Sequence, residues 1–247
     1  MTVGDPTPVR AVAAALRERQ GSLPAGAEHR GTFLGVYARV TDAVADAVAA
    51  GRFEDPVWVG AWDEVFAELF LAAHDADLAG RPVARPWRLA FAADPAMHPL
   101  GHLLLAMNAH INFDLPQSVA AVVSDDDFTD PALIASRDRD HQRIDEVLFE
   151  RVRAEDADLG WKTRAVDRLA APLNRWASRR FLRESREKVW HNTVVLQQAR
   201  VAGGPAYAAR VAELDVLTAA KISEFLRPGP VLLRLALQGF GVTLPPA

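Results

Sequence analysis

The chain has 247 residues, half of them hydrophobic, and a net charge of −4. This length allows one large domain with a substantial buried core, and the mixture of both charge signs along the sequence argues against nucleic-acid binding as the main role. The chain has no cysteine, which excludes disulfides, thiolate catalysis and cysteine-ligated zinc or iron–sulfur sites.

Apolar residues recur at helical spacing along most of the sequence, and prolines and glycines mark where helices start and stop. Helices are predicted at residues 8–20, 32–50, 56–78, 99–113, 131–153, 160–177, 179–201 and 206–226, with a short one from Pro116. Residues 81–97 contain three prolines and are predicted to form a connection. Thr129 or Asp130 is the predicted cap of the helix at 131, and a last apolar turn is predicted at 231–237.

Strand signals are almost absent, so the predicted fold is all-α: a single compact bundle of about eight to ten helices over residues 1–247. No apolar stretch reaches the roughly 18 residues that a membrane span requires. The first residues lack the basic-then-apolar order of a signal peptide. We therefore expect a cytoplasmic protein with no transmembrane segment, whose oligomeric state stays open.

Residues 98–116, HPLGHLLLAMNAHINFDLP, carry many polar side chains inside an apolar helical stretch. An unpaired buried polar group costs roughly 1–3 kcal/mol, so such a group of residues indicates a polar cavity. At 100° per residue the polar residues form two sets. They are His98, His102, His110 and Asp114 on one side, and Asn108 and Asn112 on the other.

Two pairs in this stretch have metal-ligand spacing, because His98 and His102, like His110 and Asp114, are four residues apart. The pairs are separated by two helical turns, about 12 Å, so one mononuclear site cannot take all four side chains. Either each pair serves its own metal or only one pair binds. The alternative is structural: Asp114 hydrogen-bonds a neutral His110 imidazole and fixes its orientation.

Asp138, His141 and Asp145 are spaced i, i+3 and i+7, which places them on one helical face. Two carboxylates and an imidazole are suitable ligands for zinc, iron or manganese. The surrounding arginines and glutamates are equally typical of an exposed face with ion pairs.

A third candidate segment carries His191 as a possible metal ligand, with Glu187 one turn before it. Arg183 could neutralise an anionic substrate and Trp190 could form a cavity wall. The alternative is a surface ladder of arginine, glutamate and histidine. Two other histidines are predicted to have structural roles, His74 at a helix C-terminus and His29 in a loop.

The stretch HPLGH…NAHINFDLP resembles the signature of an uncharacterised actinobacterial family, a domain of unknown function that would cover most of the chain. This resemblance implies no activity. The His-x3-Asp pairs, His110 with Asp114 and His141 with Asp145, are also similar to those of the zinc-dependent phospholipase C and P1-nuclease superfamily. That second resemblance implies zinc ions held around a phosphate ester.

The leading functional hypothesis is a metal-dependent hydrolase acting on an ester or phosphoester of a small or lipid-like molecule. The metal would be zinc, with iron or manganese as alternatives. The predicted ligands are His98, His102, His110, Asp114, His141, Asp145 and His191; the predicted catalytic residues are Asp114, Asn108 and His110; the predicted substrate contacts are Asn112, Arg183 and Trp190. The alternatives are a metal-free His/Asp acid–base enzyme, a small-molecule-binding protein, a non-haem iron oxygenase, and a helical interaction protein.

Overall fold

A computed structural model describes residues 3–159, 187–227 and 239–246, without the side chains of residue 145 and residues 148–159. The described residues form helices and connections and contain no strand, so the predicted all-α class is confirmed. The helices are α1 (Thr7–Gly21), α2 (Gly31–Ala49), α3 (Pro56–Leu78), α4 (Arg85–Phe91), α5 (Pro99–Ala109), α6 (Leu115–Val122), α7 (Pro131–Leu159), α8 (described over 187–202) and α9 (Gly204–Leu226).

The helix starts follow the capping signals in the sequence. Asp55 accepts a hydrogen bond from the backbone N–H of Trp58 at the start of α3, and Pro56 occupies the first turn. Asp130 is the cap of α7, since its Oδ1 accepts from the N–H groups of Ala132 and Leu133. The predicted segments 160–177 and 231–237 lie outside the described residues. That residues 1–247 form one domain stays a prediction.

The prediction of a connection over residues 81–97 was wrong, because α4 lies within it. Its seven residues begin at Arg85, and Pro86 lies in the first turn, where the fixed φ of proline suits a helix. Trp87, Ala90 and Phe91 are buried on the face that α4 turns toward the core. So short a helix is stabilised by tertiary packing rather than by its own propensity, which is why the sequence pattern did not reveal it.

The predicted helix at 99–113 ends as an α-helix at Ala109 and continues as a π-helical turn, His110–Asp114, which leads directly into α6. The backbone N–H of Leu115 donates to the carbonyl of His110, five residues earlier. Pro116 supplies the reason for the wider turn, because proline has no N–H to donate and its ring crowds the carbonyl four residues before it.

In the part of the chain that the structure describes, the helices pack around one large aromatic core and two smaller apolar cores. The large core includes Phe33 of α2, Phe70 of α3, Trp87 of α4 and Phe240 of the C-terminal segment. Among the pairs in contact are α1 with α2, α3 with α6, and α4 with α9. This packing places the π-helical turn against α3 and α4. No helix among the described residues is both long and apolar enough to cross a bilayer.

The C-terminal segment, residues 239–246, is held against α5, α8 and the π-helical turn by side-chain amides. Asn108 and Asn112 both donate to the Phe240 carbonyl at 3.1 Å, and Asn112 also accepts from the N–H of Val242. Asn192 of α8 donates to the Val242 carbonyl and accepts from the N–H of Leu244. These amides satisfy the backbone groups of a buried segment that has no sheet partner.

Replacing Asn192 with alanine is expected to lower the free energy of unfolding by about 2 kcal/mol. The change leaves a buried carbonyl and a buried N–H without the partners they have now. Urea denaturation measures the effect, with Gln198→Ala as the matched control because Gln198 is an exposed amide on the same helix. Equal stability of the two variants would show that the Asn192 contacts contribute nothing.

Candidate acid–base site

His110 and Asp114 form a buried hydrogen-bonded pair, with His110 Nδ1 lying 2.9 Å from Asp114 Oδ2. The indole Nε1 of Trp87 donates to both oxygens of the same carboxylate, at 3.2 and 3.0 Å. An ionised carboxylate can only accept hydrogen bonds, so with Asp114 ionised the imidazole donates to it and His110 carries its proton on Nδ1. The lone pair is then on Nε2. Two helices therefore fix both the orientation and the tautomer of one imidazole.

Aromatic rings surround the imidazole of His110. The Phe66 ring stacks on it with a centroid distance of 3.6 Å and an interplanar angle of 6°. The Tyr37 ring lies 4.8 Å away at 60°, and the rings of Phe33 and Phe70 lie at 5.8 and 5.9 Å. These rings come from α2 and α3 and form an apolar wall around the pair.

Several polar atoms in this region are buried without a hydrogen-bond partner. They are His110 Nε2, Tyr37 Oη and Asp63 Oδ2. Leaving such an atom unpaired costs about 1–3 kcal/mol, and native structures retain few of them. A polar molecule bound among these atoms would give them partners.

The electrostatics follow from burial. Burial lowers the pKa of His110 against the opposing effect of Asp114, and it raises the pKa of Asp114 against the effect of His110. Burial, helped by the charge of Glu64, raises the pKa of Asp63 to about 7. Burial and the charges of Asp63 and Asp114 raise the pKa of Tyr37 well above its usual value. Near neutral pH, His110 is therefore uncharged and the Tyr37 hydroxyl keeps its proton.

The other predicted ligands of the 98–116 stretch lie away from this pair. His98 is exposed at the start of α5, where its Nδ1 accepts from the N–H of Leu100. His102 is buried, with its ring 4.6 Å from that of His29. Asn108 and Asn112 face the C-terminal segment instead of the His110 ring.

The candidates from α7 and α8 have other contacts. The ring of His141 lies 5.0 Å from that of Trp62, and Asp138 accepts from Gln142. His191 lies 2.9 Å from the Leu244 carbonyl, and Trp190 packs against an apolar core. The side chain of Asp145 and all of Arg183 lie outside the described residues.

Metal centres in proteins are commonly built from three or four donor side chains around one point. Within residues 3–159, 187–227 and 239–246, no three histidine or acidic side chains converge on a point where they could hold a metal ion. The predicted divalent metal and the hydrolase activity built on it stay predictions, with no support from the described donor groups.

Sequence reasoning missed Trp87, Tyr37 and Asp63 as members of this site. Trp87 was missed because the helix that carries it was not predicted. Tyr37 lies at helical spacing among the apolar residues of α2, so its position in the sequence indicates a core ring and nothing about its hydroxyl. Asp63 could have been found from the sequence, because it is an acidic residue between Trp62 and Phe66 in an apolar helix. In the structure only 8% of Asp63 is exposed.

Comparison with known proteins identifies a family but no activity. Residues 9–228 match the family model described as "Family of unknown function (DUF5995)". The predicted membership of a domain of unknown function is thereby confirmed. No curated protein and no solved structure matches the chain. The comparisons give no support to the resemblance to zinc-dependent phospholipase C and P1 nuclease.

Proposed function

The chain belongs to this family of unknown function, and we propose that it is an acid–base enzyme in which His110 is the general base. The reaction would be proton transfer next to a carbonyl group in a small, uncharged, largely apolar molecule. The observation that carries the proposal is a buried imidazole whose Nδ1 is fixed by a carboxylate while its Nε2 has no partner. A base needs this arrangement, because the free lone pair has to meet the substrate.

The proton moves from a substrate carbon to His110 Nε2, and the C–H electron pair enters the carbonyl system to give an enolate. Asp114 stabilises the resulting imidazolium, as the third member of a hydrolase triad does. Trp87 keeps the carboxylate in place through its two hydrogen bonds. The imidazolium then returns the proton to the same carbon or to its vinylogous position. No oxidant or second reactant is needed, so the net change is isomerisation or proton exchange.

Tyr37 and Asp63 would stabilise the enolate oxygen. The Tyr37 hydroxyl stays protonated because its pKa is raised, and Asp63, with a pKa of about 7, is largely protonated below neutral pH. A tyrosine and a neutral carboxylic acid together are a known way of stabilising an enolate in an apolar site. Both groups have an unpartnered buried oxygen available for this role.

Charge favours an uncharged substrate. The charged groups that shift the pKa values of His110, Tyr37 and Asp63 are all acidic: Asp114, Asp63 and Glu64. An anionic substrate would therefore meet carboxylates and no compensating cation among these groups. The aromatic wall favours apolar parts of the molecule.

The first test asks whether a small uncharged molecule reaches Nε2. Diethyl pyrocarbonate acylates neutral imidazoles, and mass spectrometry of the digested protein assigns the modified residue. Exposed His98 is the fast control, and His74, which is 1% exposed, is the buried control that reports unfolding. We expect His110 to react more slowly than His98 and clearly faster than His74. If His110 reacts no faster than His74, the site does not open and the proposal fails.

The second test measures the chemistry without knowledge of the product. A panel of uncharged ketones is incubated with the protein in D₂O, and NMR follows deuterium entering the positions beside the carbonyl. Wild-type protein is expected to accelerate exchange for part of the panel, and His110→Gln is expected to lose this acceleration. Acceleration that survives in His110→Gln would assign the base to another residue.

A further inference from the structure

A pair of histidines lies near the start of α5, at the opposite end of this helix from His110. His29 sits in the 3-10 turn Glu28–Arg30, and His102 sits one turn into α5. Their ring centroids are 4.6 Å apart, with the planes tilted by 36°. His102 is 5% exposed and His29 is half-buried. His102 precedes His110 by two helical turns, about 12 Å along the axis, so this pair is separate from the acid–base site.

The ring nitrogens of this pair are incompletely satisfied. His29 Nε2 lies 3.3 Å from the Phe91 carbonyl, whereas its Nδ1 is buried without a partner. Neither ring nitrogen of His102 has a partner at hydrogen-bond distance. The backbone carbonyls of Asp94 and Pro95 lie close enough to counteract the lowering of the His102 pKa by burial. His29 thus has a carbonyl near one ring nitrogen and no partner on the other, and His102 has backbone carbonyls near a ring whose two nitrogens both lack a partner.

This pattern is typical of metal-binding histidines, which donate one ring N–H to a backbone carbonyl or carboxylate and present the other nitrogen to the metal. The distance between the two rings also agrees with the geometry of two imidazoles bound to one metal ion. With metal–nitrogen bonds of about 2.0 Å, each ring centroid lies about 3.2 Å from the metal. Two rings bound at 90–110° are then about 4.5–5.2 Å apart by the same geometry. The observed 4.6 Å falls within this range.

We propose that His29 and His102 together bind a divalent transition-metal ion of the zinc, nickel or copper class. Imidazole nitrogen suits these ions better than magnesium or calcium. Asp94 adds a negative charge close to His102. The protein supplies two imidazoles, and water completes the coordination, so the binding is weaker than in a four-ligand structural site. The pair differs from the His98–His102 pair suggested by sequence spacing, because His98 is exposed at the helix start.

The test uses untagged full-length protein treated with chelator and titrated with ZnCl₂ by calorimetry. Wild type is expected to bind one ion per chain with micromolar affinity. His29→Gln and His102→Gln are each expected to bind at least about tenfold more weakly, since losing a ligand costs no less than losing a supporting contact. His98→Gln is the matched control and is expected to bind as wild type does.

Two further readouts protect the test against misfolding of the His102 variant. His29 is half-buried, so His29→Gln is expected to keep the circular dichroism spectrum of wild type. In ¹⁵N NMR of wild type, zinc is expected to shift the ring nitrogens of His29 and His102 and to leave those of His110 and His191 unchanged. Absence of binding at millimolar zinc, unchanged affinity in folded His29→Gln, or loss of binding in His98→Gln would each overturn the proposal.

Discussion

Replacing Asp114 with asparagine is expected to slow His110-dependent proton exchange by up to about 10⁴-fold, the size of the loss seen when a hydrolase triad receives the wrong histidine tautomer. The asparagine carbonyl, in the place of Asp114 Oδ1, can still accept the Trp87 indole proton. Its NH₂ group then points a donor at His110 Nδ1, so the imidazole proton has to move to Nε2. The lone pair required for proton removal is lost, while the side chain keeps its volume.

Two properties of this variant are measured, the exchange rate and the tautomer of His110. Deuterium exchange gives the rate, and ¹⁵N NMR of the histidine ring gives the tautomer. Asp126→Asn is the control, because Asp126 is an exposed acidic residue away from α5. An unchanged exchange rate in folded Asp114→Asn would show that His110 is not the base. An unchanged histidine tautomer would contradict the assignment of the proton to Nδ1.

Asp63→Asn is expected to gain stability relative to wild type as the pH rises. The native pKa of Asp63 is about 7, whereas the usual value is 3.8. Because the folded state holds the proton more tightly, Asp63 lowers the stability of wild type as the pH rises from about 4 through about 7. This difference in pKa lowers the stability of wild type by roughly 1 kcal/mol at pH 4.5 and about 4 kcal/mol at pH 8. The variant avoids this cost, so its stability relative to wild type is expected to improve by about 3 kcal/mol over this interval.

Urea denaturation of both proteins at pH 4.5 and pH 8 measures this change, and the comparison cancels groups that titrate equally in both. His74 is one such group: its native pKa is lowered to about 4, so it destabilises both proteins as the pH falls below about 6.5. Glu68→Gln serves as the control, because Glu68 is an exposed acidic residue of the same helix whose charge does not act on Asp63. A difference between wild type and Asp63→Asn that is the same at both pH values would mean that Asp63 is ionised at pH 4.5.

The His110–Asp114 pair could be predicted from the sequence because both residues lie on one helix, where a spacing of four brings side chains together. The separation of Asn108 and Asn112 from that pair followed from the same geometry. The contributions of Tyr37 and Asp63 could not be predicted, because they depend on how α2 and α3 pack against the π-helical turn. His29 and His102 are 73 residues apart, and nothing local in either segment indicates the other.

Some helix starts are marked by residues that can be recognised in the sequence, such as Pro56 in the first turn of α3 and Asp130 before α7. Trp87 shows the limit of those signals. Its helix is too short to have a readable period, and its importance comes from one hydrogen-bonded partner 27 residues away. A site that is assembled by tertiary contacts is therefore visible in the sequence only through the residues that share an element.

The π-helical turn is a position where the chain can lose one residue without a change in the orientation of α6. A π-helical turn holds one residue more than an α-helical turn, so removing one residue there would let the helix continue with ordinary α geometry and would leave the later positions of α6 on the same faces. Ser118 would keep its hydrogen bond with the indole N–H of Trp62, which is now 3.0 Å long. Removing a residue between His110 and Asp114 would, however, change their spacing from four residues to three, so homologues that keep the pair are expected to keep the length of this turn.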